Sequence, residues 1–132
     1  MKSPRRASAK RPEPMSLLDT TQQALESAMS GSMMRNTLLT NNLANVDTPG
    51  YQPEDVNFQS TLQAAIQSGS PIDQVSFQPF TQQQAVGPDG NGVSPEQQQA
   101  LLSQNGLLYE TLTQVAAQRE SILESAMGMG QS

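Results

Sequence analysis

The side chains most often used for acid–base or nucleophilic chemistry are missing from this sequence. It has no His and no Cys, so the usual general base and the thiol nucleophile are both absent. Carboxylates remain. Glu54-Asp55 is an adjacent pair following a turn, and Glu120 and Glu124 stand four apart on a predicted helix surface. Neither pair implies a basic or apolar pocket that would set one carboxyl apart from the other, so both read as solvated surface charge. Gly128-Met129-Gly130 lacks the strand-then-helix setting of a phosphate loop. Without Cys, disulfides and thiolate metal sites are excluded as well. The chain reads as non-enzymatic, with no catalytic residue, cofactor site or metal site.

Charge is divided unevenly. Lys2, Arg5, Arg6, Lys10 and Arg11 crowd the first eleven residues, and beyond them only Arg35 and Arg119 face twelve carboxylates. The body is therefore strongly acidic and would repel nucleic acid. A five-charge arm without aromatic residues is a weak, salt-sensitive binder of nucleic acid or anionic membrane. No apolar run approaches the ~20 residues of a membrane span. The arm has no apolar stretch behind it, so it reads neither as a Sec signal nor, at Arg5-Arg6, as a twin-arginine signal. Residues 1–15 are expected to be a disordered basic arm outside the main function, with Met15 as an alternative start of translation.

The elements behind this arm follow from periodicity. Over 16–46, steps of four and three give Leu18, Gln22, Leu25, Met29, Ser32, Asn36, Leu39, Leu43 and Val46. That is a helix with its apolar stripe broken at Ser32 and Asn36, just past Gly31. The break predicts a kink, a close backbone approach or a polar contact. Ser16 is the expected cap. Over 94–128 the same walk gives Leu101, Asn105, Leu108, Leu112, Val115, Arg119, Ile122, Ala126 and Met129. Ser94-Pro95-Glu96-Gln97 is a helix start, with Ser as cap, Pro at the first helical position and Gln three residues on. Gly128 and Gly130 are expected to close that helix. Between the helices, residues 47–93 hold most of the Pro and Gly and much Gln. A short helix is expected over 57–67, where Phe58, Leu62 and Ile66 recur, and short extended pieces around Val75, Phe77 and Phe80.

The fold class that results is mainly α. Long N- and C-terminal helices pack as a coiled-coil-like pair around an irregular Pro/Gly/Gln-rich middle, with 16–128 forming one rod-type domain. The packing residues are Leu18, Leu25, Met29, Leu39, Leu43, Leu101, Leu108, Leu112, Val115 and Ile122. Leu, Ile, Val and Phe make up about 19 % of the chain, just under what a self-sufficient core needs. The helices are therefore expected to need partner chains, through a second face formed by Leu17, Ala24, Ala28, Leu102, Tyr109 and Ala116.

The most distinctive stretch is Asn42-Leu43-Ala44-Asn45-Val46-Asp47-Thr48-Pro49-Gly50-Tyr51. Pro49 disfavours helix at Thr48, and Pro49-Gly50 suit the central positions of a type II turn. Asn45 and Asp47 are placed to satisfy the helix's last backbone groups, and Tyr51 to pack and hydrogen-bond beyond the turn.

This stretch resembles the N-terminal signature of the flagellar rod, hook and hook-associated proteins, a family that shares the helix-at-each-end plan. The length, the continuation Gln52-Pro53-Glu54-Asp55-Val56-Asn57-Phe58, the loop Asp89-Gly90-Asn91-Gly92-Val93 and the stretch Asn105-Gly106-Leu107-Leu108-Tyr109 look most like its proximal-rod members. A sister rod protein (FlgC-like), or a coiled-coil adaptor with a nucleic-acid- or membrane-binding arm, is the alternative. The resemblance implies a structural subunit of the bacterial flagellar basal body, in the periplasmic rod. The implied partners are further copies of itself, FlgC-like and FlgF-like rod proteins, the adaptor FliE and the flagellar type III export apparatus, which would export it without a cleaved signal. Nucleic acid and a membrane span are not among them. The implied functional residues are Asn42, Leu43, Ala44, Asn45, Asp47, Thr48, Pro49, Gly50 and Tyr51.

Overall fold

The computed structural model describes residues 14–129 of the chain, with side chains from 19 to 128. The basic arm at 1–13 lies outside the described residues. Helix α1 runs Pro14–Ala44, helix α2 Phe58–Ser68 and helix α3 Pro95–Met129. A 3-10 turn occupies Ile72–Gln74. Strand β1, Glu54–Asp55, pairs antiparallel with β2, Phe80–Thr81, with Glu54 opposite Thr81 and Asp55 opposite Phe80. At ~1.5 Å per residue, α1 and α3 are about 46 and 52 Å long. Among the described residues no helix is long and apolar enough to cross a membrane.

The expected pair of long terminal helices is present, with α3 returning antiparallel along α1. Ser32 meets Asn105, and Asn42 meets Gln98. Boundaries differ in detail. Because α1 starts at Pro14, Ser16 sits inside its first turn and is not its cap. Because α1 stops at Ala44, Val46 falls in the following turn and not on the stripe. Gly128 lies within α3 and does not end it. Ser94 caps α3 as its sequence suggests, its Oγ accepting from Gln97 N–H at 3.4 Å. Asn57 caps α2, its side chain accepting from Ser60 N–H, and left-handed Gly69 closes that helix.

The apolar core is off to one side of the helix pair. Val56, Phe58, Leu62, Ile72 and Phe77 form a buried cluster, and Ala24, Ala28, Leu38, Ala65, Val75 and Leu108 pack against it. The Phe58 and Phe77 rings meet edge to face, 6.1 Å apart. Ala24 and Ala28 therefore cover the chain's own middle region and are not free for a partner, because α2 and the 3-10 turn lie across that face of α1. Gly31 makes this possible. A Cβ there would stand 2.6 Å from the Cβ of Phe58 and 2.7 Å from its Cγ. Of the three explanations for the break in the α1 stripe, close approach and polar contact both hold: Gly31 admits Phe58, and Ser32 bonds Asn105.

Candidate functional site

At the end of α1 the chain turns sharply, and the turn is closed by Tyr51 N–H donating to the Thr48 carbonyl at 3.2 Å. Gly50 has φ +76°, as the third position of a type II turn requires. Asn45 Nδ2 donates to the Asn41 carbonyl at 2.8 Å and Asn45 Oδ1 accepts from the Thr48 hydroxyl at 2.9 Å, tying the last helical turn to the bend. Asp47, Thr48 and Pro49 are exposed on the outside of the turn.

Asn42 is the hub of the site. It is 0 % exposed, yet each of its polar groups is partnered. Its Nδ2 donates to the Glu54 carbonyl at 2.7 Å and to Gln98 Oε1 at 2.9 Å. Its Oδ1 accepts from Glu54 N–H at 2.9 Å and from the Tyr51 hydroxyl at 3.2 Å. One amide thus joins α1, the turn, β1 and α3. Burial raises the Tyr51 pKa above 10.0, and the nearby Glu54 carboxylate adds to the rise.

The loop ahead of α3 docks on this turn. Gly50 N–H donates to the Asp89 carbonyl at 3.0 Å, and Gly92 N–H to the Tyr51 carbonyl at 2.9 Å. Asn91 Nδ2 reaches the carbonyls of Asn45 at 2.9 Å and Thr48 at 2.6 Å, adding a second donor to each and tying the return loop to the turn after α1. Asn91 Oδ1 accepts from Val93 N–H at 2.8 Å. The resulting arrangement offers no reacting constellation. It fixes the angle and register at which one helix leaves and the other begins.

Along the helix pair, Leu39 is fully buried, while Leu25, Met29, Leu43, Leu101, Leu108 and Leu112 are half-buried. The Leu18 side chain lies outside the described ones. Val115 and Ile122 are 40 % and 60 % exposed, so within one chain they face outward. Ala44 is exposed. At its middle the seam is polar: Ser32 Oγ donates to Asn105 Oδ1 at 3.1 Å, and Asn105 Nδ2 donates to the Ser32 carbonyl at 2.8 Å.

The contacts of five residues escaped the sequence reading. Asp55, there taken as solvated, is 5 % exposed and ion-paired to Arg35 (Nε to Oδ1 2.8 Å, the second nitrogen to Oδ2 3.0 Å). The available signal was Arg35 itself, the one cation between residues 12 and 118. Asn105 and Ser32 had a signal in the matching polar gaps of the two stripes. Asn91 had only the resemblance of its loop, and Gln98 had none. Glu120 and Glu124 are exposed on α3, as expected of surface charge.

A tight turn locked to a return loop holds one end of an antiparallel helix pair, and the relatives of this chain are rod proteins. The family model described as Flagella basal body rod protein matches residues 18–52, which take in most of α1 and the whole turn. The chain is 33 % identical over 98 residues to the flagellar basal body rod protein FlgB of Aeromonas hydrophila, spanning 64 % of this chain and 74 % of that one. It is 28 % identical over 113 residues to FlgB of Escherichia coli K12, spanning 70 % and 82 %. With FlgB of Bacillus subtilis 168 it shares 46 % identity over 48 residues, 36 % of this chain and 37 % of the relative. The class is thus that of the flagellar basal body rod proteins. Within it, the chain belongs to the FlgB family, and its role is that of a structural subunit of the basal-body rod. A nucleic-acid- or membrane-binding adaptor is not favoured.

Proposed function

We propose that this subunit sits in the proximal, periplasmic part of the rod, without enzymatic activity of its own. There its helix pair meets further copies of itself, FlgC-like and FlgF-like rod subunits and the adaptor FliE. It reaches that place through the flagellar type III apparatus. A thin core suits that route, since a marginally stable chain is readily kept unfolded for passage.

The observation that carries this reading is the exposed apolar row on α3. Val115 and Ile122, 40 and 60 % exposed, continue the stripe of Leu101, Leu108 and Leu112, whose own side chains are half-buried within the chain. Such a row marks an interaction face. The test is a chain with Val115→Asp and Ile122→Asp together. Because both positions are exposed, monomer helicity should stay unchanged, while incorporation into the basal body and swimming should be lost. Normal incorporation of this variant would overturn the reading.

A further inference from the structure

Two of the chain's seven asparagines are followed by glycine, Asn91-Gly92 and Asn105-Gly106. Both are buried latches. Asn91 is 8 % exposed and ties the return loop to the turn after α1, while Asn105 is 2 % exposed and bridges α3 to Ser32. In each, the essential group is the side-chain NH₂, which donates to backbone carbonyls.

Asn-Gly is the dipeptide most prone to lose that group. The glycine amide nitrogen, its proton taken by base, attacks the asparagine Cγ. A new N–C bond forms, the bond from Cγ to the side-chain nitrogen breaks, and ammonia leaves with the proton. The five-membered succinimide then takes up water at either carbonyl and opens to aspartate or isoaspartate. Glycine favours the step because no Cβ hinders the ring.

The fold closes both sites to this attack. Gly106 lies in the interior of α3, where the amide donates to the carbonyl four residues back and Asn105 ψ is held near about −42°, far from the ring-forming geometry. Gly92 N–H donates to the Tyr51 carbonyl, and the Asn91 side chain is pinned by Asn45, Thr48 and Val93. Unfolding removes every one of these restraints.

We infer that Asn91 and Asn105 are fold-gated deamidation sites, protected in the closed helix pair and reactive in the unfolded chain. Conversion also disables the latch. An aspartate at either position replaces a donor by a carboxylate facing backbone carbonyls, so a chain that has waited unfolded can no longer close.

The experiment incubates the full chain at mildly alkaline pH across a series from guanidinium chloride to sucrose. Helicity is followed by circular dichroism, and conversion at each asparagine by peptide-mapping mass spectrometry. Conversion at Asn91 and Asn105 should follow the unfolded fraction, while Asn57, exposed and followed by Phe58, stays slow throughout. Gly106→Ala has open space for its methyl group. In denaturant it should reduce conversion at Asn105 to the level of Asn57, leaving Asn91 unchanged. Rates indifferent to helicity, or an Asn105 rate unaffected by Gly106→Ala, overturn the gating. Asn91→Asp and Asn105→Asp should each shift the folding equilibrium toward the unfolded chain by about tenfold or more. Melting at the parent temperature by both variants overturns the disabling step.

Discussion

Arg35 on α1 grips Asp55 on β1 through two nearly parallel hydrogen bonds of 2.8 and 3.0 Å, and Asp55 Oδ1 also accepts from Val56 N–H at 2.7 Å. The bidentate geometry is the strong form of this interaction. Removing Arg35 leaves a nearly buried carboxylate without its counter-charge. Arg35→Met should therefore cost about 2–4 kcal/mol of stability in a denaturant titration. In a double-mutant cycle, Arg35→Met with Asp55→Asn should cost less than the two single changes added together. Simple additivity would show that the pair is uncoupled.

Gly31 is required by space and not by backbone conformation. A methyl group there runs into the Cβ, Cγ and Cδ2 of Phe58 at 2.6–2.8 Å. Gly31→Ala should improve helix propensity on α1 yet lower stability by about 1–3 kcal/mol, because Phe58 cannot retreat within its packed cluster. An increase in melting temperature would show that α2 is free to shift.

Gly50 is the converse case. Nothing stands within 4 Å of an added Cβ, but φ is +76°. Gly50→Val should destabilise by about 1–2 kcal/mol and impair rod assembly, while Gly50→Asn, tolerant of that region, should recover most of the loss. Equal behaviour of the two variants would argue that bulk matters there, and not conformation.

Tyr51 provides a pH readout. Its folded pKa lies above 10.0, first through burial and then through the Glu54 carboxylate. The neutral phenol is thus the form that the fold favours, so its contribution is complete below pH ~10 and is lost as pH rises through the folded value. In a Tyr109→Phe background, the near-ultraviolet titration of Tyr51 should have its midpoint above that of the denatured chain. Glu54→Gln should lower that midpoint. A midpoint equal to the denatured one would mean that the turn leaves Tyr51 in water.

The terminal helices and the turn were legible because their signals are local. Ser94-Pro95 marks the start of α3, the four-three stripes mark the helix pair, and Pro49-Gly50 marks the bend. The core was not legible, since Val56, Phe58, Leu62, Ile72 and Phe77 are spread over a strand edge, a helix, a 3-10 turn and a loop with no common period. Long-range polar contacts were hidden for a related reason. Asn91 finds Asn45 and Thr48 across more than forty residues, and nothing in the composition of either loop points to the other. Val115 and Ile122 follow the periodicity of α3 as well as Leu108 does. Periodicity identifies a stripe, but it does not say whether the chain or its neighbour covers it.

The joint between the turn and the return loop resists sliding of the two long helices past each other. Pulling α1 lengthwise past α3 strains the bonds Gly50 to Asp89, Gly92 to Tyr51 and Asn91 to Asn45 and Thr48 simultaneously. Bonds sharing a shear force fail together and at higher force than bonds that open one by one.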